Sequence, residues 1–115
     1  MIDDPLDALE SVINARRGAD PATSYTAKLF AAGRAKIAQK VGEEAVETVI
    51  AALAQDRQAL VGEATDLVFH LLVLLADAGV SLDDIRAEIA RREGISGIDE
   101  KAARQAPEPE QPHAH

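Results

Sequence analysis

Two acidic clusters sit inside the two longest helix-forming stretches of this 115-residue chain: Glu43-Glu44-Ala45-Val46-Glu47 and Glu63-Ala64-Thr65-Asp66. A carboxylate beside an apolar core is costly unless something neutralises it. The clusters therefore constrain how the flanking helices can pack. On an α-helix, Glu44 and Glu47 fall about 60° apart, on adjacent turns of one face. Glu63 and Asp66 stand in the same relation, and Glu43 lies about 40° from Glu47, at the edge of that face. Residues 55–57 read as a tight connection between antiparallel helices. Glu47 lies about nine residues before that bend and Glu63 about seven after it, so a rise of ~1.5 Å per residue brings the clusters level.

The rest of the chain punctuates in the same helical style. Asp4-Pro5 opens a helix, with Asp4 as N-cap and Pro5 at the first helical position. Leu6, Leu9, Val12 and Ile13 share one face of it, and residues 18–24, with Gly18 and Pro21, form a loop. A short helix is expected over Tyr25–Ala32, capped by Ser24 and ended by Gly33. Long helices follow over Arg34–Ala54 and, after the cap Asp56, over Arg57–Ala78, with Gly79 at the C-terminal end. Ser81-Leu82-Asp83-Asp84 resembles a capping box for a last helix running to about Glu93, with Gly94 beyond. Aromatics are only 3% of the chain, so the core is built from Ala, Leu, Val and Ile. That composition favours helices over a sandwich or barrel. The expected fold is all-α, an antiparallel bundle of four to five helices. From Leu67 to Leu75 the fourth helix is apolar almost all round, as a helix buried on most sides would be. So small a monomer cannot arrange that, and a homodimer is expected. One domain covers residues 1–104. The segment 105–115, with Pro107, Pro109 and Pro112 among Glu and Gln, has no apolar face and reads as a disordered tail.

Charge and composition exclude several functions. A net charge of −8 makes duplex nucleic acid a poor partner. A small anionic ligand remains possible if metal ions supply positive charge. The chain has no cysteine, which removes disulfides and thiolate zinc sites. Asp3 and Asp4 stand where a signal peptide would be basic. The apolar run Leu67–Ala76 is broken by His70 and falls short of the roughly 18 residues of a membrane span. A cytoplasmic protein without a membrane partner is expected.

The clusters admit two explanations. One is a solvated acidic face, the usual fate of glutamate pairs on helices. The other is a cation site. Facing carboxylates repel, and divalent ions would neutralise them. Oxygen ligands without His or Cys select a hard cation, Mg²⁺ first and Mn²⁺ second. Lys36, Lys40, Glu43, Glu44 and Glu47 also fit i,i+3 and i,i+4 salt bridges, the preferred role for Lys36. Lys40, one turn before the acidic face, can reach a phosphate held there. His70 reads as a satisfied core or interface histidine. Gly42 fits either close helix packing or room for a ligand.

Two segments carry a family resemblance. The run Ser24-Tyr25-Thr26-Ala27-Lys28-Leu29-Phe30, with Gly33 and Lys40-Val41-Gly42-Glu43-Glu44-Ala45-Val46-Glu47, resembles the phosphoribosyl-ATP pyrophosphatase family. So does Glu63-Ala64-Thr65-Asp66-Leu67-Val68-Phe69-His70, continuing to Leu75. The match covers about residues 4–94. The wider E-E-x-x-E…E-x-x-D pattern is that of the all-α nucleoside triphosphate pyrophosphatase (MazG-like) superfamily. The resemblance implies Mg²⁺-dependent hydrolysis of N1-(5-phosphoribosyl)-ATP, a nucleotide substrate, to the AMP derivative and pyrophosphate, the second step of histidine biosynthesis. It also implies a helical dimer. By the superfamily pattern the metal ligands are Glu44, Glu47, Glu63 and Asp66. Phe69 stands where the family often has Tyr, so no hydroxyl is essential there.

In that chemistry an aligned water attacks a phosphorus of the triphosphate. Glu43 or Glu47 takes its proton. Lys28 and Lys40 are candidates for triphosphate or ribose-phosphate contacts, and Ser24, Tyr25 and Thr26 for the pocket lining. Two rival functions remain: a house-cleaning nucleotide pyrophosphatase, and a non-catalytic helical dimerisation module.

Overall fold

The computed structural model describes residues 4–93. The chain divides into two compact units, residues 1–82 and 83–115. Among the described residues there are five α-helices and no strand. The proposed tail, Gly94 and the histidines His113 and His115 lie outside the described residues.

Local sequence sets each helix boundary. Helix α1 (Pro5–Ala15) begins where Asp4 accepts a hydrogen bond from the Leu6 amide at 2.8 Å, with Pro5 at the first turn. Helix α2 (Tyr25–Ala32) is capped by the Ser24 hydroxyl, which accepts from the Ala27 amide at 3.1 Å. Gly33 ends α2 and starts α3 (Arg34–Ala54), with φ 99° and ψ 165°. Only glycine adopts that conformation cheaply, so this one residue turns the chain sharply between two helices. Helix α4 (Arg57–Asp77) is capped by Asp56, which accepts from the Ala59 amide at 2.9 Å. It ends in a Schellman turn: Gly79 has φ 75°, its amide donates to Ala76 O, and the Val80 amide donates to Leu75 O at 2.8 Å. Ala78 is thus the cap and not the last helical residue. Helix α5 (Leu82–Arg92) has Asp83 and Asp84 in its first turn and Arg91 and Arg92 in its last, each sign favoured by the helix dipole.

Helices α3 and α4 form the expected antiparallel hairpin, closed by Gln55 and Asp56, and α4 also packs against α1 and α2. The hairpin has three zones along its length. At the end away from the bend, Ile37 of α3 and Leu72, Val73 and Ala76 of α4 close the core with Ile13 and Leu29. The middle carries the acidic clusters. Towards the bend, Val46, Val49, Ile50 and Leu53 of α3 are exposed, Leu53 to 83%. Burial of α4 within one chain is also incomplete, since Val61 and Leu71 are exposed. An 18-residue window of α4 reaches a mean hydropathy of 1.8, so by length and composition it passes for a membrane span, which the unbroken-run criterion misses. Its Glu63, Asp66 and buried His70 belong instead to contacts with α3 and α2.

Candidate active site

Each acidic cluster occupies the middle of its helix, and the short bend brings the two level. Carboxylate oxygens of Glu44, Glu63 and Asp66 lie within 4.8 Å of one another. Glu47 stands beside this group, close enough for its charge to act on both Glu44 and Glu63. Glu44 is the deepest, with 9% of its surface exposed, and its Oε2 has no hydrogen-bond partner among the described residues. The neighbouring hydroxyls do not help: Thr48 donates to Glu44 O at 2.8 Å and Thr65 to Val61 O at 2.7 Å, each within its own helix.

The electrostatics follow from this crowding. Burial pushes the Glu44 carboxyl above the usual carboxylate range, and the adjacent Glu47 and Asp66 push it further. Burial, Glu47 and Asp66 likewise raise Glu63. Each of these groups disfavours charge in its neighbours. A buried carboxylate oxygen without a donor, surrounded by further carboxylates, is the arrangement a cation satisfies. Oxygen donors alone suit a hard divalent ion such as Mg²⁺ or Mn²⁺, so the donor set fits the ion expected from the sequence.

Glu43 is placed differently. Its carboxylate accepts from Gln39 Nε2 at 2.8 Å and pairs with Lys40 Nζ at 3.2 Å. Those two partners hold its carboxyl below the usual range. Lys40, raised by the same contact, reaches a groove of about 240 Å³ lined by Tyr25, Lys28, Leu29, Ala32, Lys36 and Lys40. Of the candidate pocket residues, Tyr25, Lys28 and Lys40 meet there. Ser24 uses its hydroxyl to cap α2, and Thr26, half-buried on α2, is not part of the groove lining.

His70 connects groove and cluster. It is buried, and its Nδ1 lies 2.7 Å from Asp66 O. A carbonyl only accepts, so Nδ1 carries the proton. The other nitrogen, Nε2, then accepts from the Tyr25 hydroxyl at 3.0 Å. The Tyr25 ring stacks on Phe69 with centroids 6.1 Å apart. The backbone of Asp66 is thereby tied to a side chain at the mouth of the lysine groove. A larger cavity of about 420 Å³ between α1 and α4 is lined by apolar groups such as Leu6, Leu9, Val61 and Val68. It offers no titratable side chain.

Comparison with known proteins is decisive here. The family model described as phosphoribosyl-ATP pyrophosphohydrolase matches residues 6–93. The chain belongs to that family. The phosphoribosyl-ATP pyrophosphatase of Rhizorhabdus wittichii is 69% identical over 99 residues, which is 86% of this chain and 93% of the relative. Those of Rhodospirillum rubrum and Zymomonas mobilis are each 61% identical, over 86% and 90% of this chain and 85% and 97% of theirs. In this phosphoribosyl-ATP pyrophosphohydrolase family member, two features of the site leave no unambiguous mark in the sequence. Lys36 acts on Glu43 electrostatically, in keeping with its expected place among helix charges, and also lines the groove, for which its i,i+4 spacing to Lys40 is the one local signal. The Tyr25–His70 bond spans 45 residues, and no local pattern announces it.

Proposed function

We propose that this chain hydrolyses N1-(5-phosphoribosyl)-ATP to N1-(5-phosphoribosyl)-AMP and pyrophosphate, the second step of histidine biosynthesis. The observation that carries this reading is the convergence of Glu44, Glu47, Glu63 and Asp66 in a chain matched almost end to end by relatives of that name.

Glu44, Glu47, Glu63 and Asp66 would hold Mg²⁺, or Mn²⁺ in its place. When bound, the ion neutralises triphosphate charge and polarises a phosphoryl oxygen. The remaining work belongs to side chains. Glu47, between Glu44 and Glu63, positions the attacking water and takes its proton. Glu43 is the weaker base of the two candidates, because Gln39 and Lys40 already occupy its carboxylate. Its role is to hold Lys40. Lys28 and Lys40 contact phosphate groups of the nucleotide, and Tyr25 borders the same pocket, with Ser24 and Thr26 ordering the start of α2.

The assembly is a homodimer. The unpartnered apolar stripe Val46, Val49, Ile50 and Leu53 is larger than solvent favours, and a second copy would cover it. The working location is the cytoplasm, with neither membrane nor nucleic acid as partner. A substrate panel tests the activity. Pyrophosphate is expected from phosphoribosyl-ATP with Mg²⁺, and not from ATP or dUTP. Equal turnover of all three would mean a house-cleaning enzyme, and unchanged turnover after complete chelation would remove the cation from the scheme. Mg²⁺ should also stabilise the protein without substrate, by about 2.7 kcal/mol at 100-fold over its Kd.

A further inference from the structure

The lysines are distributed unevenly. The chain has four, Lys28, Lys36, Lys40 and Lys101, and all three of those among the described residues line the one groove beside Tyr25. In a chain of net charge −8, three ammonium groups around a cavity of about 240 Å³ form a local reversal of sign. Nearby arginines are engaged elsewhere. Arg34 pairs with Asp77 at 2.8 Å, and Arg17 donates to Ala76 O while lying over the Phe30 ring. Lys28 and Lys36 have no ion pair among the described residues, whereas Lys40 is held by Glu43 at 3.2 Å. The groove therefore presents two ammonium groups outside any ion pair among the described residues, of which Lys36 also acts electrostatically on Glu43, and a third that is fixed in place.

That arrangement matches an anion carrying about two charges, such as a phosphate monoester. The substrate of the proposed reaction offers two phosphate-rich ends. In the proposed reaction the triphosphate end would meet the cation that Glu44, Glu47, Glu63 and Asp66 would hold. The other end is a 5-phosphoribosyl group whose monoester has no partner in that cluster. This end is also what distinguishes phosphoribosyl-ATP from ATP, so contacts to it provide discrimination. A site that binds a charged group rejects the analogue lacking it, because its own charges are then left without a partner.

We propose that Lys28, Lys36 and Lys40, with Tyr25 at the rim, form the subsite for the ribose 5-phosphate end of the substrate, and so select phosphoribosyl-ATP over ATP. The assignment rests on the proposed reaction, and it adds Lys36 as a specificity residue. Tyr25 joins this subsite to the reaction centre, through His70 and the backbone of Asp66.

The test uses the full-length protein with Mg²⁺ and two inhibitor probes, ribose 5-phosphate and inorganic tripolyphosphate. Lys28→Ala and Lys36→Ala should each raise the Ki of ribose 5-phosphate about 10-fold, as loss of a charge-assisted hydrogen bond does. The Ki of tripolyphosphate should move less than about 2-fold, and Lys36→Arg should restore most of the binding. A larger effect on tripolyphosphate would assign the groove to the triphosphate end and overturn the proposal. So would an unchanged Ki for ribose 5-phosphate. Amide shifts of Asp66→Asn titrated with ribose 5-phosphate give a readout independent of turnover. Shifts centred on residues 28–40 support the subsite even if phosphoribosyl-ATP proves not to be the substrate. Their absence refutes it even if hydrolysis is confirmed.

Discussion

Glutamates in two parts of this chain meet opposite fates. Glu88, in the last helix, accepts from Arg91 at 2.7 Å and from Arg92 at 2.8 Å, and its carboxyl is held down to about 2. Glu44 and Glu63, in the α3–α4 hairpin, face other carboxylates, and their carboxyls are pushed up. The first arrangement is complete within the chain. The second needs something from outside it. Residue type alone does not separate the two, since all three are helical glutamates. What separates them is whether the opposite charge stands within reach. An incomplete electrostatic arrangement around a buried carboxylate is the signature of a site, whereas a completed one is a device for helix stability.

The strongest way to break this comparison is to neutralise one carboxylate in each region. Asp66→Asn should lower turnover by about 100-fold or more, because losing even an outer partner of a metal ligand costs 10–100-fold. In chelator the same variant should melt no lower than wild type, and a few degrees higher, since it relieves repulsion. Glu88→Gln should do the reverse, leaving turnover within about 2-fold and slightly lowering helicity, as exposed helix ion pairs are worth little. Steady-state assays and thermal melts with and without Mg²⁺ measure both. If Asp66→Asn were active and unstable while Glu88→Gln were inactive, the distinction between open and closed charge arrangements would fail.

A smaller effect probes the link between cluster and groove. Tyr25→Phe removes one hydroxyl and keeps the ring over Phe69. His70 Nε2 then loses its donor, which costs on the order of 1 kcal/mol in a partly buried bond. If the bond positions Asp66, kcat should fall about 3- to 10-fold. A purely structural role predicts a lower melting temperature with kcat unchanged, and that outcome would detach Tyr25 and His70 from the reaction.

Much of the fold was legible because local chemistry writes helix ends clearly. Asp4, Ser24 and Asp56 cap helices as side-chain type predicts, and Gly33 and Gly79 adopt the positive φ that glycine permits. The register of the two acidic clusters followed from helix rise and a tight connection over residues 55–57, which the structure shortens to Gln55 and Asp56. What was not legible depends on which side chains meet across the bundle. Lys36 and Lys40 have one spacing whether they serve salt bridges or a groove, and only the position of α2 decides. Glu43 sits beside Glu44 in sequence yet pairs with Lys40 and Gln39, because adjacent helical residues point about 100° apart. The residues towards the bend give the converse case. Their apolar pattern implies burial, but Val49 and Leu53 are exposed in one chain, because covering them needs a surface that the chain itself does not supply.

The smallest expected effect is also the one with the most definite sign. Arg91 and Arg92 depress the folded-state pKa of Glu88 from an ordinary 4.5 to about 2. The folded protein thus binds that proton less tightly than the unfolded one. Its contribution is fully present above the unfolded value and is lost as pH falls through the interval towards about 2. For Glu44 and Glu63 the metal-free protein has the reverse dependence. Their raised carboxyls bind protons more tightly when folded, so their contribution is present at low pH and is lost as pH rises through the raised values. Mild acid should therefore stabilise the hairpin in chelator before stronger acid weakens the last helix. Carboxyl carbon shifts followed by NMR from neutral pH to about pH 2 resolve the groups separately. Glu88 should titrate well below Glu44 and Glu63, and a shared midpoint near the ordinary carboxylate value would remove the electrostatic difference between the two regions.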